Sequence, residues 1–228
     1  MQTPSAPAAQ FGVPTNVRLR EEVARILRAQ IIAGVRIPGE IYSIGAVAEE
    51  MSVSATPVRE AVLDLQNAEL VHMVRNKGFR VPVLDEHDLD ELVELRLMIE
   101  AEAVRKIASA GPTDLSHERG LAETVTKAAE SGDVVAFVAN DRDFHLTLLD
   151  RLGNGRLTRT VGRLRDQSRL YGLQRMVGTP QLTESAHEHL AILDAVEAGD
   201  AALTAKLMTQ HLKHARGMWA GRDETSHR

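Results

Sequence analysis

PGEIYSIGAVAEEMSVSATPVREAVLDLQNAELVHMVRNKGFRV, residues 38–81, is the stretch on which the fold turns. Its opening Pro38-Gly39 step stops the segment before it, and a helix is expected from about Ile44 to Glu50. After a short break, Ser54-Ala55-Thr56-Pro57 opens another helix. Ser54 is a suitable N-cap, Pro57 belongs in a first turn, and Val58, Ala61, Val62 and Leu65 supply a buried face. Leu70 to Val74 and Gly78 to Val83 are strand-like runs around Asn76-Lys77-Gly78, a hairpin signal. Upstream, Val23, Ile26, Leu27 and Ile31 form an apolar stripe on a helix from Val17 to Ala33, which Gly34 caps. Helix, helix–turn–helix and basic-tipped hairpin, in that order, make a winged helix-turn-helix. Its third helix enters the major groove of DNA and its wing touches backbone or minor groove.

Working outward, residues 1–14 are rich in Pro, Ala and Gln without a period and read as a disordered lead-in. The winged helix-turn-helix domain then occupies 15–83, and Asp85 to Asp88 read as a short acidic hinge. Everything beyond reads as helix: roughly 88–109, 113–131, 133–151, 154–176, 182–198 and 200–218, broken at glycine and proline. Short connections make this an antiparallel six-helix bundle, an all-helical domain over 88–218 followed by a polar tail at 219–228. The expected fold class is therefore mainly α.

Composition narrows the function. Aromatic residues are only 3% of the chain, which favours helix over sheet, and the absence of cysteine excludes disulfides, thiolate metal sites and cysteine nucleophiles. No apolar run approaches the ~20 residues that span a bilayer, and no signal pattern opens the chain, so a cytoplasmic protein without a membrane partner is expected. The net charge of −5 divides into +1 for residues 1–81 and −6 for the rest. Arg18, Arg20, Arg25 and Arg28 cluster early, and Arg75, Lys77 and Arg80 follow with no acid between them, so a basic patch is available for DNA.

Spacing alone also assembles a cluster. Asp141 and His145 are four apart, on one face of one helix. His189 and His211 are twenty-two apart, and their midpoint is residue 200. A turn at Gly199-Asp200 thus sets them level across two antiparallel helices. With the Asp141/His145 helix alongside, the bundle core gains three imidazoles and one carboxylate, suited to one divalent transition metal per chain, Zn, Ni or Mn. Glu188 projects about 100° away from His189 around the helix and is a poor general base. His72, His87, His117, His187 and His214 lack this geometry and read as surface residues.

Residues 38–81 closely resemble the GntR family of regulators, through Pro38-Gly39, Ala48, the Val53-to-Ala61 run, Leu65, Glu69-Leu70-Val71 and Gly78-Phe79-Arg80-Val81. The C-terminal half resembles the FCD ligand-binding domain of the FadR subgroup. That likeness rests on Arg96 and Glu100, Asp141 with Phe144-His145, Asn154, Glu188-His189, Gly199-Asp200 and His211. The resemblance implies a recognition helix beginning at Ser54, with Ser54, Thr56 and Arg59 meeting operator DNA, and a wing contributing Arg75, Lys77 and Gly78. Ala55 stands where the family usually has Arg, and Gly45 where a polar or basic side chain is common, so the operator sequence stays open.

The expected function is a DNA-binding transcription regulator whose hold on double-stranded operator DNA responds to a small, carboxylate-bearing effector. A homodimer is expected, because one recognition helix covers only a half-site. Arg96 is either an arm for the effector's carboxylate or the partner of Glu100 four residues on. The alternative is a metal-dependent enzyme using the His/Asp cluster.

Overall fold

The structure is a computed structural model that describes residues 15–111, 114–168 and 180–220. The expected lead-in at 1–14, the end of the 154–176 helix and the tail beyond 220 lie outside the described residues. The chain runs α1 (Thr15–Ile32), β1 (Ile41–Tyr42), α2 (Ile44–Glu50), α3 (Ala55–Asn67), β2 (His72–Val74) and β3 (Gly78–Arg80). It continues with α4 (Glu86–Arg96), a π-helical turn (Leu97–Ala101), α5 (Glu102–Ser109) and α6 (Ser116–Ser131). Last come α7 (Val134–Asp150), α8 (Gly155–Ser168), α9 (Pro180–Glu197) and α10 (Ala201–Ala220).

The N-terminal elements form the winged helix-turn-helix that the pattern predicts. Val23, Leu27 and Ile31 of α1 pack on Val58, Ala61, Val62 and Leu65 of α3, and Leu70, Val71, Phe79 and Val81 close the core from the wing. A bidentate pair ties the two helices at their edge, with Arg20 Nε and Nη2 donating to Asp64 at 2.6 and 2.8 Å. The sheet has one strand more than the sequence pattern gives: β1 pairs with β3, and β3 with β2, all antiparallel. Two residues are too few to show alternation, which is why β1 left no signal. Ser54 occupies the N-cap position of α3, but its side chain makes no capping hydrogen bond. Its hydroxyl therefore keeps its hydrogen-bonding capacity for a partner in front of the helix.

Asp85 and Asp88, read from the sequence as part of an acidic hinge, open a helix. Asp85 accepts from the Asp88 amide and Asp88 accepts from the Asp85 amide, both at 2.9 Å, a capping box that starts α4. The acidic run was read by its charge, whereas its spacing of three decides its role. The C-terminal helices enclose a second core that includes Val104, Ile107, Phe144, Leu148, Ile192, Leu193 and Met208. Where the sequence suggests one helix over 88–109, the π-turn widens the ladder between α4 and α5.

Gly78, which opens β3, lies at φ +129°, and a Cβ there would meet the Tyr42 carbonyl oxygen at 2.0 Å. Backbone cannot step aside as a flexible side chain does, so the β1–β3 pairing requires glycine at this position. Gly78→Ala is expected to destabilise the N-terminal domain by at least about 1–3 kcal/mol, the usual range for overpacking. Denaturant unfolding followed by circular dichroism checks this, and wild-type stability in the variant would contradict it.

Candidate functional site

The bundle places the four spacing-selected residues together, and all four are buried. Asp133 starts α7 by accepting from the Ala136 amide at 2.9 Å, and α7 then buries Phe137, Asp141, Phe144, His145 and Leu148 at helical intervals. The α9–α10 turn is set by Gly199 at φ +69° and by Asp200, whose Oδ1 accepts from the Leu203 amide at 2.9 Å. His189 and His211 arrive level across that hairpin. His145 Nε2 lies 3.1 Å from His189 Nε2 and 3.1 Å from His211 Nε2, while His189 Nε2 lies 3.2 Å from Asp141 Oδ1. Phe144 packs against the rings of His145 and His189, with centroids 4.9 and 4.4 Å apart.

The donor set suits a cation. His211 Nδ1 is 2.8 Å from Glu188 Oε2, and a carboxylate only accepts, so the proton sits on Nδ1 and Nε2 keeps its lone pair for the cluster. His145 Nε2 faces two imidazole nitrogens with at most one proton, so it hydrogen-bonds only one of them. A divalent ion takes a lone pair from each instead. Ligands at ~2.0–2.1 Å from such an ion stand about 3 Å apart in neighbouring positions, close to three of the separations here, while His145 Nε2 and Asp141 Oδ1 are 3.7 Å apart and the whole set lies within 4.8 Å. Burial pushes His145 well below its ordinary pKa, with Arg165 adding to the effect. It also lowers His211, against the opposing pull of Glu188. Both shifts favour the neutral form of His145 and His211, the form that ligates.

Beside the cluster runs an ion network. Arg165 Nη1 donates to Asp141 Oδ2 at 3.0 Å, and its Nε and Nη2 donate to Glu100 Oε2 at 3.1 and 2.8 Å. Arg96 Nε donates to Glu100 Oε1 at 2.8 Å and its Nη1 to Ser168 Oγ at 3.2 Å. Burial alone would raise the Glu100 carboxyl, but Arg165 and Arg96 outweigh it and hold the group below the carboxylate range. Burial pulls Arg165 down to about 9 with Glu100 opposing, so it stays charged at pH 7. Of the two sequence readings of Arg96, the structure contains the pairing with Glu100.

Arg165 and Glu188 are the residues that sequence reasoning missed. Arg165 sits among the charges of GRLRDQS, where it passes for a solvated arginine. It does share a face with Val161 and Ser168, four before and three after, and an arginine on an apolar stripe was the available signal. For Glu188, which the FCD likeness includes, spacing considers only a role as base beside His189 and misses its partners. These lie on α10: His211 in the cluster and His214, which remains at the surface with 42% of its side chain exposed.

At the other end of the molecule Ser54, Thr56 and Arg59 are exposed on the first turns of α3, and Arg75 and Lys77 are exposed at the β2–β3 tip. Three of the four early arginines are paired within the chain: Arg20 with Asp64, Arg25 with Glu22, and Arg28 with Asp166. Among the described residues, no helix is long and apolar enough to cross a membrane.

Comparison with known proteins places both halves. Residues 19–81 match the model of the bacterial regulatory proteins of the gntR family, and residues 91–214 match the FCD domain. The chain is 28% identical over 192 residues to the HTH-type transcriptional regulator McbR of Escherichia coli K12, covering 83% of this chain and 87% of McbR. It is 27% identical over 197 residues to the HTH-type transcriptional repressor GlaR of the same strain, covering 82% and 90%. The solved structure of E. coli McbR/YncC superposes with a TM-score of 0.79 at 25% identity, over 89% of this chain and 97% of that one. A winged helix-turn-helix of one family model, followed by a buried Asp/His cluster in a domain that matches the second over more than half of the chain, leaves one assignment: the chain belongs to the GntR family of transcription regulators, in the FCD-bearing branch that the FadR subgroup represents.

Proposed function

We propose that this regulator binds palindromic operator DNA as a homodimer and senses a small organic acid at a metal site in its C-terminal domain. On this reading residues 15–83 and 88–218 act as two units, one reading DNA and one reading the effector, in the cytoplasm where the operator is. The observation that carries it is the convergence of three buried imidazole nitrogens and one carboxylate oxygen within 4.8 Å, in a chain that also exposes a basic wing.

Asp141, His145, His189 and His211 would hold the metal, with zinc, nickel or manganese all compatible with the donors. Such an ion supplies a Lewis-acidic position for an anionic oxygen. The charge balance explains why the effector should be an anion. Glu100 and Asp141 cancel Arg96 and Arg165, and Glu188 beside His211 offsets one charge of a divalent ion, which leaves an uncompensated positive charge in a buried site. Glu188 positions His211 through Nδ1 rather than acting on any substrate. The enzyme alternative lacks support, because the two nearest other carboxylates are engaged, Glu100 by two arginines and Glu188 by two histidines.

In the DNA-binding domain, Ser54 and Thr56 suit phosphate oxygens in front of α3, Arg59 suits a guanine edge, and Arg75, Lys77 and the Gly78 backbone suit the backbone near the wing. Ala55 can pack only on a thymine methyl.

Arg59→Ala is expected to weaken operator binding by ~1–3 kcal/mol and to relax sequence preference at one position, whereas Lys77→Ala should weaken all sequences alike and lower the salt slope by about one. Mobility-shift titrations at several salt concentrations separate the two, and unchanged affinity in Arg59→Ala would remove that residue from the interface. Sedimentation of protein with operator should give two chains per site, and a 25.0 kDa monomer alone at micromolar concentration would rule out the dimer.

Elemental analysis of purified protein should find about one divalent transition metal per chain. His189→Ala should lose most of it, and Glu188→Ala should weaken it about 10–100-fold through His211. EDTA should lower the melting temperature, because the ion binds the folded state alone. Protein that stays metal-free after reconstitution with zinc, nickel and manganese would leave the cluster a structural feature.

A further inference from the structure

The last described turn of α8 faces two ways. Arg165 reaches the His/Asp cluster through Asp141 and Glu100, and Ser168 accepts from Arg96 on the same side. The two residues between them leave that side, since successive helical residues project about 100° apart. Asp166 Oδ2 lies 3.3 Å from Arg28 Nε of α1, and its Oδ1 accepts from Arg142 of α7 at 2.8 Å. Gln167 Nε2 donates to the Ala68 carbonyl and to Glu69 Oε2, both at 3.1 Å. Ala68 is the C-cap of α3, the helix whose opposite end carries Ser54, Thr56 and Arg59.

Residues 165–168 are all buried. Buried polar groups tolerate only arrangements that keep them paired, so turning or sliding α8 would unpair the site-facing and DNA-domain-facing contacts together. Ile32, at the end of α1, packs into the C-terminal core and holds the same junction from the other side.

We propose that residues 165–168 couple the His/Asp cluster to the recognition helix. Altering how Arg165 is held changes, through Asp166 and Gln167, how the C-terminal end of α3 is held. The direction of use, from effector to DNA, rests on reading the cluster as the sensing site, but the mechanical link does not.

Hydrogen exchange on the full-length chain tests the link without any metal. The reporters are the amides of Ala68, Glu69 and Leu70, which close onto the last turn of α3 through the carbonyls of Asp64, Gln66 and Leu65. Glu100→Gln, remote from these amides, should speed their exchange about fivefold or more, the lower end of typical couplings. In the Gln167→Ala background the same change should have little further effect. If Glu100→Gln does not fold, Arg165→Lys replaces it, keeping the charge and losing the fork. Unchanged exchange in the single variant, or an equal increment in both backgrounds, would overturn the proposal.

A second arm compares operator affinity of zinc-loaded and EDTA-treated protein. Wild type should show a difference that Asp166→Asn/Gln167→Ala loses while its zinc content stays at the wild-type level. A difference that persists in the double variant would count against the link. Wild type that takes up no zinc overturns the sensing-site reading instead, and the exchange cycle then decides the link alone.

Discussion

Arg96, Glu100, Asp141 and Arg165 form one buried ion network inside the C-terminal bundle, and the helices around them are arranged so that each is paired. Glu100 sits between Arg96 and Arg165, and Arg165 reaches on to Asp141. Removing one member would leave its partner charged and dry, which costs far more than a surface pair contributes. The network therefore fixes the relative positions of α4 with its π-turn, α7 and α8. Asp141 is thereby held with one oxygen on Arg165 and the other beside His189.

The DNA-binding half is organised by a different economy. Its electrostatic excess is only one positive charge, and most of its early arginines are consumed in ion pairs, including one with the C-terminal domain. What remains exposed for the proposed DNA contacts is local: hydroxyls and Arg59 before and along α3, and the basic tip of the wing. An overall acidic chain can hold an anionic polymer in this way because screening limits each charge to its own neighbourhood, about 8 Å at physiological salt.

The junction between the halves combines an apolar contact, Ile32 in the C-terminal core, with several polar ones. Asp166 contacts arginines from both domains and Gln167 contacts backbone at the end of α3. Directional contacts of this kind specify one relative placement, whereas an apolar junction of the same area would tolerate several. The same short turn also carries Arg165, so the order of residues along one helix relates the two domains.

Periodicity and spacing were enough to determine the helices of both domains, the hairpin wing, and the four clustered residues of the candidate site. Each of these depends on local geometry: 3.6 residues per turn puts Asp141 and His145 on one face, and a hairpin about residue 200 sets His189 opposite His211. Strand β1, the capping role of Asp85 and Asp88, and the π-turn were less legible, because short elements carry too few residues to show a period. The partners of Arg165, Glu188 and Gln167 were not legible in the sequence. They lie 24, 65, 23 and 99 residues away, on other helices. Only the packing of those helices decides which charged side chain is desolvated and which remains in water. Sequence reports what a residue can do within its own turn of helix, and tertiary structure decides what it must do once water is removed.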